Sequence, residues 1–227
     1  MHTLITLIIM VSLSLFSTAS ALPNSSGATG LVTMPTADIL KYKEYNIAFD
    51  YNFNLDDKTN SEYYYKFNVG ALDNMELGFI GGTNPNEGVF LNLKWSLSAN
   101  TGRFPLQMAV GLEKLTSRNQ SDFYIVTSKK LRSDLGFHGG FKAIFDDKIQ
   151  VGFMTGVDYS YSNSIYFLGD LSTSGDNIYS VNLSAFYKIL FGESIDNVYL
   201  RGSIQNLLRS GPSNSYFNLG ICYFNIL

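Results

Sequence analysis

The chain has one cysteine, Cys222, two histidines, one tryptophan and few charges, 15% where a soluble domain carries roughly a quarter. A single thiol forbids an intrachain disulfide, so this is not a small secreted domain stapled by several bridges. Apart from His2 the only histidine is His138. One histidine and one cysteine cannot supply the three or four ligands of a zinc site, and no metal or cofactor is expected. A net charge of −3 argues against nucleic-acid binding. Beyond the first residues no apolar run reaches the 18 or so residues of a membrane helix. Gly81-Gly82 lacks the strand and helix that would flank a phosphate loop.

What is plentiful is Phe, Tyr and Gly, at 17, 15 and 20 residues. The opening stretch differs from the rest. It holds an apolar run from Leu4 to Phe16, no charged side chain, and then Ala19-Ser20-Ala21, the small-x-small pattern of a signal-peptidase site. The run is shorter than the roughly 20 residues of a spanning helix. Residues 1–21 are therefore expected to be a signal peptide cleaved before Leu22, although its amino end lacks the usual Lys or Arg. Leu22 is not a cysteine, so no lipid anchor is expected there. Residues 22–42, with Pro23, Asn24, Gly27, Gly30 and Pro35, read as an irregular lead-in.

From residue 43 onward, apolar and polar residues alternate with period two, the signature of strands with one greasy and one polar face. Glu44 to Asn54 is the clearest case: Tyr45, Ile47, Phe49, Tyr51 and Phe53 share one face, Asn46, Ala48, Asp50 and Asn52 the other. The same pattern recurs to the C-terminus, except that parity is ambiguous over Phe123–Val126 and Ile165–Leu171. About 12 strands result. Low charge, alternation and an export signal predict an all-β, antiparallel up-and-down transmembrane β-barrel over 43–227. An even number of strands brings both ends to one side and leaves no open edge. The strands match the roughly 9–11 residues a spanning strand needs. Aromatic residues gather near strand ends, as in interfacial belts.

In such a barrel the polar face looks inward. Glu62, Lys66, Glu76, Lys94, His138, Lys142, Asp158, Lys188 and Arg201 are the candidates for the lumen. Glycines on that face, such as Gly78, Gly111 and Gly136, relieve crowding in a narrow curved wall. His138 lies near Ser133 and Asp134, but nearness in sequence is not a triad, and a lumen-filling role is expected. No enzyme is predicted. Residues 27–37 are expected at the periplasmic mouth or inside the lumen, because irregular backbone is tolerated at membrane depth only within protein or a wet cavity.

The segment Gly27-Ala28-Thr29-Gly30-Leu31-Val32-Thr33-Met34-Pro35-Thr36-Ala37, followed at once by the strand from Tyr45, resembles the start of the YjbH-like outer-membrane proteins. Leu72–Gly78, Pro105–Gly111 and Tyr124–Lys129 look similar to that family as well, and the chain corresponds to a single barrel module of its longer members. The resemblance implies a diderm outer membrane, contact with its lipid and its assembly machinery, and a part in exopolysaccharide export or envelope assembly with polysaccharide or envelope proteins as partners. It transfers no catalytic residue. Alternatives from other classes are a lumen-filled structural barrel, a narrow pore, a lumenal hydrolase using His138, and a soluble exported β-sandwich that binds glycans.

Overall fold

The computed structural model describes residues 22–55, 61–83, 88–97, 106–174, 178–189, 197–207 and 215–227. The expected signal peptide lies outside the described residues. The first half of the barrel is β1 (Glu44–Asn54), β2 (Ser61–Leu72), β3 (Met75–Gly82), β4 (Phe90–Ser96), β5 (Gln107–Glu113) and β6 (Ser121–Arg132). The second is β7 (Leu135–Phe145), β8 (Ile149–Ser160), β9 (Ile165–Ser174), β10 (Ile178–Ile189), β11 (Val198–Gln205) and β12 (Tyr216–Ile226). Each pairs antiparallel with its neighbours in sequence, and β1 closes the ring against β12 from Glu44↔Ile226 to Asn54↔Tyr216. The closed ring overturns the two-sheet sandwich alternative: β1 and β12 pair along their whole length and so leave no free edge to end a sheet.

Period-two patterning decides which way each side chain points. Ile47, Phe49, Phe79, Trp95, Phe137, Phe153, Leu183 and Leu219 are exposed on the outside. Lys129, and Arg132 beyond the bulge at the end of β6, are the charged residues at outward positions of the described strands. Such a belt would be a liability in water and suits hydrocarbon.

The inside is less uniformly polar than alternation predicts. Tyr124 and Val126 of β6, Met154 of β8, Tyr166 and Leu168 of β9, Phe186 of β10 and Tyr199 of β11 are all buried there. They share an apolar cluster with Leu22, Leu31, Val32, Met34, Ala37 and Leu40 of the lead-in. This explains the ambiguous parity of β6 and β9. Their outward faces are apolar for the surroundings, and their inward faces are apolar for the lead-in.

The lead-in occupies the lumen and forms neither helix nor strand. It is a compact double loop tied by isolated bridges at Pro23↔Thr29 and Gly30↔Pro35. At its end Tyr42 bridges Gly70 in parallel, and Lys43 takes a left-handed backbone (φ 70°) that swings the chain into β1. A Cβ on Gly70 would overlap the Lys41 carbonyl, so glycine is required where the lead-in leaves the barrel past β2. Tight turns at Asp73-Asn74 and Ser133-Asp134 lie at this same end, each beside a bulge in β2 or β6.

Candidate functional site: the plug and its anchors

The lead-in is a plug, and the barrel wall grips it through its backbone. Asp170 of β9 is the tightest anchor. Its Oδ2 accepts the N–H groups of three successive plug residues, Val32 at 2.8 Å, Thr33 at 2.7 Å and Met34 at 3.1 Å. Its Oδ1 accepts the Thr33 hydroxyl at 2.8 Å and the Asn182 amide at 2.7 Å. Successive N–H groups turned toward one point form a concave anion site, here filled by a side chain of the wall. Asp170 escaped the sequence reading because β9 showed no clear parity. The available signal was a lone carboxylate in the otherwise uncharged run Ile165–Ser174.

On the opposite wall the expected lumen residues Glu76 and Lys94 hold the plug from both polarities. Glu76 of β3 accepts the Thr29 N–H at 3.0 Å and the Leu40 N–H at 3.1 Å. Lys94 of β4 donates to the carbonyls of Thr29 and Asp38, both at 2.7 Å. Lys66 of β2 ion-pairs with Asp50 of β1 at 2.5 Å and donates to the Asn24 carbonyl at 2.6 Å. Arg201 of β11 pairs with the same Asp50 and donates to the Pro23 carbonyl at 2.8 Å. Two cations share one carboxylate, and the plug's carbonyl oxygens complete their coordination. A charge with no such partners would be costly at this depth.

His138 has different partners from those its sequence neighbours suggest. Its Nδ1 lies 2.7 Å from the Ser128 hydroxyl of β6, and its Nε2 lies 2.7 Å from Asp158 of β8. Ser133 and Asp134 occupy the turn; the antiparallel register instead puts Ser128 and Gly156 opposite His138. The result is a hydrogen-bonded Ser–His–Asp row, yet its geometry suits a latch. Ser128 also accepts the Ala37 N–H at 2.8 Å, which occupies the oxygen a nucleophile would need free. All three residues are at most 4% exposed, and none borders the cavities described below. Lys130 extends the row by pairing with Asp158 at 2.8 Å.

Asp38, half-buried on the plug, feels His138, Lys130 and Lys94. Burial pushes its carboxyl above the ordinary value of 3.8, and these neighbours only partly offset the rise. Lys142 of β7 pairs with Glu113 at 2.7 Å. Glu62 and Lys188 lie half-buried toward opposite ends of the wall, and Glu62 accepts the Tyr64 hydroxyl at 2.7 Å. Of the lead-in residues singled out, Gly27 and Gly30 are buried at the plug's turns, Gly27 with φ 103°, and Pro35 closes the second bridge. Among the described residues no cluster of three His, Cys, Asp or Glu could hold a metal ion.

Beyond the plug, at the end away from the start of β1, the lumen widens into two adjoining cavities of about 490 and 270 Å³. Plug residues Ser25, Ser26 and Thr33 lie at their inner side.

No protein-family model matches the chain, and no curated protein matches it. Solved structures do. The KdgM porin superposes with a TM-score of 0.59 at 12% identity, covering 78% of this chain and 98% of its own. The NanC porin gives 0.56 at 11% identity, with 79% and 98% covered. An outer-membrane channel from Pseudomonas putida gives 0.52 at 11% identity, with 86% and 100% covered. At such identities the likeness is one of fold: that of outer-membrane barrel porins.

Proposed function

We propose that this chain is a non-enzymatic outer-membrane β-barrel of a diderm envelope whose passage is closed by its own N-terminal plug. The observation that carries this reading is the grip of Asp170 on Val32, Thr33 and Met34, joined by Glu76, Lys94, Lys66 and Arg201 around the ring. The apolar outer belt and the porin fold support placement in the outer membrane, with its lipid and its assembly machinery as partners. Plug backbone groups not paired within the double loop, among them the N–H groups of Thr29, Val32, Thr33, Met34, Ala37 and Leu40, are met by wall side chains. A passage evolved to stay open would leave those side chains for solvent or solute.

The test is single-channel recording in planar bilayers. Full-length protein is expected to be silent or nearly so, whereas deletion of 22–36 and, more weakly, Asp170→Ala should produce stable conductance. Losing Asp170 leaves three N–H groups unpaired, a cost of roughly 2–4 kcal/mol to the docked plug. If the deletion changes neither conductance nor stability, the reading fails.

A finer reading is favoured by one observation: residues 27–37, which resemble the YjbH-like proteins, are the heart of the plug. We infer that the barrel serves exopolysaccharide export or envelope assembly, with plug release as the opening step. Polysaccharide output unchanged in cells lacking the chain would sink the export half of that reading. Conductance from the intact chain would favour a permanently open narrow pore instead.

A further inference from the structure

The two cavities beyond the plug form one vestibule. They share Ser26, Lys114, Gln120 and Asn206, so a solute in either touches both plug and wall. The larger, about 490 Å³, lies in the 300–1,000 Å³ range of small-molecule sites. Its wall combines aromatic rings (Tyr64, Phe90, Tyr216) with carboxamides (Asn52, Gln205).

Charge narrows the ligand class. The described cations that line these cavities are already matched: Lys142 binds Glu113 at 2.7 Å and lies 3.7 Å from Asp122, and Lys114 also lies 3.7 Å from Asp122. The Glu62 carboxylate is engaged by Tyr64 at 2.7 Å. An anionic solute therefore meets no uncommitted cation among the described lining residues. A lipid tail would desolvate the amides without pairing them. What remains is a ligand with flat apolar faces and hydroxyls that both donate and accept. Tyrosine rings suit its faces and amides its edges, since an amide carries two donors and an acceptor.

We propose that this vestibule is a binding site for neutral oligosaccharides, seated on the plug's Ser25-Ser26 turn. Entry from the cell exterior rests on the membrane reading above; the binding itself rests on the vestibule alone. A bound chain touches the plug residues Ser25 and Ser26 directly, so occupancy and plug position are linked, each biasing the other.

The test uses full-chain protein refolded in a detergent without a sugar headgroup. Calorimetric titration takes maltohexaose, cellohexaose, chitohexaose and, as acidic counterpart, hexagalacturonate. At least one neutral hexamer should bind with a Kd in the millimolar range or tighter, and more tightly than hexagalacturonate. Its affinity should be the same at about 50 and about 500 mM salt, since no unpaired charge takes part. Tyr216→Ala and, separately, Gln205→Ala should each weaken it by roughly tenfold. Heat-modifiable gel migration reports whether each variant is folded. Binding by none of the neutral hexamers overturns the proposal, as does salt-sensitive binding led by hexagalacturonate. Either failure leaves the closed-plug reading standing if the intact chain stays silent in the bilayer. Conductance from the intact chain would conversely leave the vestibule result unaffected.

Discussion

At Asp38 two effects compete, and pH separates them. Burial disfavours its charge, while Lys94, Lys130 and His138 favour it; burial wins and raises the carboxyl above 3.8. A raised folded-state value means that the folded barrel binds this proton more tightly than the unfolded chain does. The stabilisation is complete below the ordinary value and is lost as pH rises through the folded one. Asp38→Asn keeps the backbone carbonyl that Lys94 and Thr29 use and removes the titration. Its denaturation midpoint in lipid vesicles should match wild type near pH 4 and exceed it at pH 7. An advantage that shrinks with rising pH would show that the neighbouring lysines dominate. At this scale the sequence was legible where charge falls on a clean alternation, as at Lys66, Glu76, Lys94 and Arg201. It was silent on Asp170 and Ser128, whose importance comes from plug backbone groups that arrive from 91–138 residues away.

Among the elements, strands were easier to read than the plug. Alternation marks β1 at Glu44–Asn54 from end to end, because both faces have distinct surroundings. β6 and β9 resist such reading, because apolar residues of the plug lie against their inner faces. The Gly and Pro content of residues 22–42 announced irregular backbone but not its path, which depends on wall partners spread over the whole ring. Gly30 shows how tightly that path is drawn. A Cβ there would overlap the Met34 carbonyl oxygen and Pro35, where Leu31 N–H meets Met34 at 2.8 Å. Gly202 on β11 is the contrast, since a Cβ there meets nothing within 4 Å. Gly30→Ala should open the plug, seen as protease cleavage within residues 22–42 of the folded barrel. Gly202→Ala should leave the plug protected and stabilise the strand by about 0.5–1 kcal/mol through reduced chain entropy. Equal protease resistance in both variants would mean that the double loop is not held by this turn.

For the whole molecule, the division of surfaces inverts that of a soluble protein. Asp50, Lys66, Glu76 and Lys94 are each at most 2% exposed, while Leu183, Phe141 and Val151 are exposed by 52%, 57% and 61%. Burying the charges is tolerable because the plug and facing strands pair them; exposing the aliphatic and aromatic belt is tolerable only if hydrocarbon surrounds it. This makes depth along the wall a measurable quantity. Leu183 lies mid-strand on β10, paired with Ile204 and Gly169, whereas Tyr161 lies in the turn between β8 and β9. In vesicles, Leu183→Arg should cost about 2–4 kcal/mol and Tyr161→Arg about 0–1 kcal/mol. Denaturant titration of vesicle-inserted protein, followed by heat-modifiable migration, reads both. In water the two exposed positions would tolerate arginine alike, so equal small effects would remove the lipid from around this barrel. A steep difference would fix the bilayer midplane near Leu183, at the level of the wall rather than at its rim.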